Sequence, residues 1–170
     1  MTGPESSGKS TLVRELATAT GAAHSVEFAR EYLTVRSGRY TRSDLTAIAA
    51  GQLRLNARAV HATPTDLALW DTGLEVILIW SWYQYGRIDP RLWQWWHDSR
   101  ADYYLLTYPD LPWSPDPLRS MPDVADRIAL FGAYRSFLEG SGCAYGVVGG
   151  VGMERLECAM SYVGFNFPQS

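Results

Sequence analysis

Short apolar runs that end in acidic residues alternate along this chain with stretches of helical periodicity. That alternation predicts a parallel sheet with helices packed on it. The first run, HSVEF at 24–28, reads as a strand followed by a helix that starts near Ala29. TRSDL at 41–45 supplies capping residues for a longer helix through about His61, with Leu45, Ile48, Ala49, Leu53 and Ala57 on its apolar face. DLALWD at 66–71 is a buried strand whose last residue, Asp71, stands where ligands bind in open α/β sheets. Helices are expected over 74–85, stopped by Gly86, and over 90–100, started by Pro90. A strand over 102–107, a helix over 123–139, a strand over 144–148 and a closing helix over 153–162 complete the pattern. Pro109, Pro112, Pro115, Pro117 and Pro122 break the stretch from Tyr108 to Pro122, which predicts an irregular loop over a site. This lid extends over about 108–127.

Composition narrows the class. A chain of 170 residues with 46% hydrophobic and 19% charged residues fits one globular domain, residues 1–170. A net charge of −3 offers no general attraction to nucleic acid or to acidic membranes, so neither is expected as a partner. Cys143 and Cys158 stand far apart and outside any metal-ligand spacing. A disulfide framework is not expected, and a reducing cytoplasm is the natural setting. No apolar run reaches membrane-spanning length.

The first eleven residues, MTGPESSGKST, carry the sharpest chemistry. Gly3, Gly8, Lys9 and Ser10 meet the G-x-x-x-x-G-K-[ST] spacing of a Walker A loop. Glycines let the backbone approach a polyphosphate, and the helix that follows, from about Lys9 to Thr20, adds its unsatisfied N–H groups and positive dipole end. The expected ATP contacts are Gly3, Pro4, Glu5, Ser6, Ser7, Gly8, Lys9, Ser10 and Thr11. Lys9 would reach the β and γ phosphates, and Ser10 would hold Mg²⁺. Asp71 is placed like a Walker B acid, a second Mg²⁺ ligand, although a strand-ending helix cap is the ordinary alternative.

Three further groups complete the candidate site. Glu27 and Arg30 in VEFAREYL suit a proton acceptor and a clamp for phosphate or sugar, or a plain i,i+3 ion pair. In PDLPWSPDPLR, Trp113 and Arg119 share one mobile stretch, and Arg119 is the candidate for neutralising charge on a transferring phosphoryl group. Arg127 and Arg135, in the helix beyond, fit either a lid role or a solvated face. Among seven tryptophans and ten tyrosines, most belong to a core, while a few facing a pocket would stack on a flat ring. The histidines have no partner pattern.

With these residues assembled, the sequence resembles the ribosylnicotinamide kinase domain of NadR-type proteins. GPESSGKST, EFAREYL, the WDTG strand end, IWSWYQYG, DYYLLTYPDLPWSPDPLR and GGVGMERLECA carry the likeness in order, nearly end to end. The resemblance implies a P-loop parallel sheet flanked by helices and ATP-dependent phosphorylation of the nicotinamide riboside 5′-hydroxyl to nicotinamide mononucleotide. It also implies adenine contacts between Gly149 and Arg155, Arg155 among them. Gly73 stands where the family pattern has a second aspartate, and Pro117 where it has a glycine. Glu27 or Asp71 would take the hydroxyl proton, with Lys9 and Arg119 completing the catalytic set. Substrate contacts would come from Glu27, Arg30 and Trp113. The alternatives are a kinase for another nucleoside and a catalytically weak module sensing ATP or a pyridine nucleotide.

A phosphate loop hangs from a central strand, yet only Met1 and Thr2 precede Gly3. The expectation is a true start further upstream and, if the chain folds as written, a truncated first strand seen as a gap or a stunted strand beside the loop, with a loosely held Lys9.

Overall fold

The computed structural model describes residues 1–166. Among these, four short strands form two parallel pairs. Ala23–Ser25 (β1) pairs with Ala68–Trp70 (β2), and Tyr104–Thr107 (β3) with Tyr145–Val148 (β4). Met1 and Thr2 lie between the pairs. The Met1 amino group donates to Trp70 O at 2.7 Å, the Thr2 N–H donates to Leu105 O, and the Thr107 N–H donates to Thr2 O, both at 2.9 Å. Thr2 thus makes an isolated parallel bridge with Leu106. The single bridge stands between the two pairs, and the position where the two halves meet is a switch point, which opens a crevice at the strand ends.

Helices cover the sheet in the alternation that the sequence predicts. They are Lys9–Thr20 (α1), Phe28–Val35 (α2), Arg42–Ala62 (α3), Leu74–Tyr85 (α4), Pro90–Ser99 (α5), Val124–Gly140 (α6) and Met153–Asn166 (α7). Period-two alternation in β3 explains the layering. Leu105 joins Leu12, Val13 and Leu16 of α1 with Ala159 and Val163 of α7, while Tyr104 and Leu106 pack against Leu130, Tyr134 and Leu138 of α6. Leu45, Ile48 and Ala49 of α3 pack on Leu74, Ile77 and Leu78 of α4, as the periodicity predicts.

Two strand ends come earlier than expected. β1 stops at Ser25 instead of Phe28, because two α3 side chains replace the ladder. Gln52 Oε1 accepts from the Phe28 N–H at 2.8 Å, and Gln52 Nε2 donates to Val26 O at 3.1 Å. Asn56 Oδ1 accepts from Gln52 Nε2 and from Ser25 Oγ, and Asn56 Nδ2 donates to Thr72 O at 3.2 Å. This buried network fastens the ends of β1 and β2, the segments that carry Glu27 and Asp71, to one helix. Below Thr2, at the opposite end of the sheet, a cavity of about 370 Å³ opens between β2 and β3, lined by Met1, Val13, Leu67, Leu69, Leu105 and Val163.

Candidate active site

The loop from Gly3 to Gly8 is shaped by steric necessity. Gly3 has φ 135°, and a Cβ there would lie 2.5 Å from Thr107 Oγ1 and 2.8 Å from Thr107 O. Gly8 has φ 79°, and a Cβ on it would lie 2.8 Å from Leu111 Cδ1. Both positions need glycine. Ser7 is 1% exposed, and its hydroxyl bonds Pro4 O and Thr107 Oγ1, each at 2.6 Å. Its side chain therefore shapes the loop from beneath. Ser10 and Thr11, in the first turn of α1, are exposed and line the cavity above.

Lys9 is held firmly, against expectation. Its Nζ donates to Gly3 O at 2.9 Å and Pro4 O at 2.6 Å, so the loop itself anchors the lysine. Burial lowers its pKa, while Glu27, Asp71 and Glu5 pull it back up and Arg119 pushes it down. Those influences gather the acids and the lid arginine around one ammonium. Glu27 is raised above its ordinary value, chiefly by burial and further by Asp71, against the opposing pull of Lys9. Asp71 is 5% exposed with Oδ1 unpartnered. It is not a helix cap, since α4 starts after Gly73 with no side-chain cap.

A hydroxyl on the loop and a buried carboxylate with a free oxygen suit Mg²⁺, which keeps several waters and takes its other ligands from phosphates. No group of three or more His, Cys, Asp or Glu fit for a metal exists among the described residues, so the protein offers these donors and no closed cage.

One cavity of about 510 Å³ is lined by the loop and by apolar and aromatic side chains. Glu27, Arg30 and Arg119 line it together with the loop, as do Leu33, Tyr40, Leu45, Ile77, Trp80 and Tyr134. Trp80 Nε1 donates to the Tyr40 hydroxyl, which fixes two aromatic walls. Trp93 and Trp96 instead pack with Phe137, and Trp82 and Tyr83 are exposed at 61% and 55%.

Several candidates have partners that the sequence did not reveal. Arg30 approaches Glu27 at only 4.0 Å and makes its shorter bond, 2.8 Å, to Asp116 in the lid. Trp113 is absent from the cavity lining and donates its Nε1–H to Glu5 Oε1 at 3.0 Å. Arg155 is 4% exposed and donates to Asp110 Oδ1, Gly150 O, Ser7 O and Tyr108 O, tying loop, β3 and α7 together. Arg127 is 3% exposed and donates to Leu111 O, whereas Arg135 pairs with Glu139 on a solvated face.

A family model described as an AAA domain matches residues 1–155. The chain belongs to that family. No curated protein matches it in sequence. Among solved structures, this AAA domain is similar to NadR protein in complex with NAD and AMP-PNP, with TM-score 0.81 and 22% identity over 99% of this chain and 48% of that one. NadR protein in complex with NR gives TM-score 0.79 and 22% identity over 99% and 50%. Deoxyadenosine kinase from M. mycoides with bound dATP gives 0.56 and 15% over 95% and 96%. The chain spans about half the length of the NadR chains it matches. This AAA domain therefore has the mixed α/β fold of P-loop kinases, as the motif order predicts. No helix among the described residues is long and apolar enough to cross a membrane.

Proposed function

We propose that this protein phosphorylates the 5′-hydroxyl of nicotinamide riboside with ATP, forming nicotinamide mononucleotide. The observation that carries the reading is the cavity that a phosphate loop lines together with Tyr40, Trp80 and Tyr134. A phosphoryl donor and a flat-ringed acceptor fit one room. NadR structures hold NAD and NR, which gives the nicotinamide ring priority among such acceptors.

The chain's residues divide the work. Backbone N–H groups of the loop and of the α1 N-terminus bind the phosphates. Lys9 stabilises charge as the γ-phosphoryl leaves, and Arg119, lining the same cavity, does so from the lid. Ser10 and Asp71 would hold Mg²⁺, which neutralises charge on the β and γ oxygens. Glu27, also on the cavity wall, accepts the hydroxyl proton, while Asp71, buried with Oδ1 unpartnered, suits the metal role. Arg155 serves the nucleotide by holding Ser7 in place. Aromatic walls accept many rings, and the likeness to deoxyadenosine kinase keeps another nucleoside as the second reading.

The test is incubation with Mg·ATP and nicotinamide riboside, uridine, thymidine or adenosine, following phosphorylated product. Selective turnover of nicotinamide riboside is expected. Preference for another nucleoside would transfer the assignment to it, and ATP binding without product would leave a sensing module.

A further inference from the structure

A loop built to receive a polyphosphate contains one acid, Glu5. A fixed negative charge there opposes an anionic ligand, so its presence calls for a physical reason. Both carboxylate oxygens are occupied by the lid. Glu5 Oε1 accepts from Met121 N–H at 2.7 Å and from Trp113 Nε1–H at 3.0 Å, and Oε2 accepts from Ser120 N–H at 3.1 Å. Ser6 Oγ adds a longer contact at 3.4 Å with the Ser114 N–H.

These donors bracket Arg119 in sequence: Trp113 and Ser114 before it, Ser120 and Met121 directly after it. Arg119 Nη1 donates to Ser114 O at 2.7 Å, so the bracketed segment closes on itself as well as on the loop. Elsewhere the segment is held by Met121 packing against the cluster around Leu106 and Leu130 and by a few polar bonds. From Trp113 to Met121 it contains neither helix nor strand, and its other internal bonds centre on Asp116, which accepts from Leu118 N–H at its side chain and from Arg119 N–H at its carbonyl. Beyond Glu5, the main charged tie of this stretch is Asp116 to Arg30 at 2.8 Å. Charge-assisted bonds to consecutive N–H groups are the strong kind, and they hold a carboxylate in one orientation.

We propose that Glu5 is the positioning residue that seats Arg119 for phosphoryl transfer, acting from the phosphate loop on the lid backbone. The inference rests on the kinase reading. Glu5 touches no reacting atom; it fixes the lid in the register where Arg119 lines the cavity. The arriving phosphates and the lid are thereby coupled through one loop residue.

Glu5→Gln keeps the shape but turns one acceptor into a donor that faces N–H groups. Expected in the full chain are a kcat about tenfold to 100-fold lower and a KM for ATP unchanged or lower, since a negative charge leaves the loop. Glu5→Asp should recover only part of kcat. In an Arg119→Ala background, Glu5→Gln should cost less than about twofold more, because its effect passes through Arg119. Hydrogen exchange without substrates should show Ser120 and Met121 amides losing at least about tenfold of their protection in Glu5→Gln. Full kcat in Glu5→Gln, additive losses with Arg119→Ala, or unchanged protection at Ser120 and Met121 would each overturn the proposal. A wild type with no nucleoside turnover would overturn the kinase reading, and the exchange experiment would still decide whether Glu5 anchors the lid.

Discussion

The two ends of the central strand position pack differently. At the loop end, Thr2 is paired to β3, Ser7 is bonded to Thr107, and Arg155 and Glu5 tie loop, sheet and lid together. At the other end, β2 and β3 face each other across a cavity of about 370 Å³ with Met1 at its rim. The contrast teaches that side-chain and carbonyl bonds at the strand ends hold the loop in place. Lys9 takes its geometry from the Gly3 and Pro4 carbonyls.

Filling the cavity end should have the largest energetic effect. An apolar segment such as Met-Lys-Ile-Val-Ile-Val placed ahead of Thr2 would add ladder bonds on both sides and bury side chains beside Val13, Leu69 and Leu105. The net gain should be on the order of 3–5 kcal/mol after chain ordering, raising Tm by roughly 10 °C. Calorimetry checks the first number, and kcat should change by less than about twofold. A large rise in kcat would mean the two ends are coupled.

Breaking the loop end comes next. Lys9→Ala should lower kcat at least about 100-fold in steady-state assays, the loss of one preorganised charge donor. Wild-type turnover in that variant would remove Lys9 from the chemistry.

Gly73 sharpens the contrast further. A Cβ there would meet Glu75 Oε2 at 2.1 Å, and Glu75 is 1% exposed, so its carboxyl already occupies the space an aspartate needs. The family pattern suggests a gain from Gly73→Asp; the packing predicts a loss of about 2 kcal/mol in stability and a lower kcat/KM. Gly73→Asp combined with Glu75→Ala should recover part of it, as read by thermal melts of the single and double variants.

The smallest effect concerns proton transfer. Glu27→Gln should reduce kcat by about tenfold, below the usual range for a general base, because a loose transition state asks little of the nucleophile. Burial raises the Glu27 pKa, so the working carboxylate forms only as pH climbs past the ordinary carboxylate range, and kcat should rise with pH there. That acidic limb should vanish in Glu27→Gln. Its persistence would remove Glu27 as the base.

Much of this was legible because strand ends and loop spacing are local signals. That Lys9, Glu27 and Arg119 share one cavity follows from the loop spacing, an apolar run that stops at an acid and a lid rich in proline. α1 and α4 fall where capping and apolar patterning place them. What escaped depends on long-range partners. Nothing in SGKST tells that Glu5 will face residues 113–121, and Gln52 and Asn56 read as polar helix positions until β1 and β2 end against them. Trp113 read as a substrate contact, but its indole serves Glu5. Arg127 suited a lid or a solvated face, and burial against Leu111 O could not be foreseen from spacing.

The most direct test of the central claim, one room for donor and acceptor, uses ATP made chiral by isotopic substitution at the γ-phosphorus, with nicotinamide riboside as acceptor. Direct in-line transfer predicts labelled nicotinamide mononucleotide, phosphorylated on the 5′-oxygen, with inverted configuration at phosphorus. Retention, or label that never reaches the nucleoside, would contradict it.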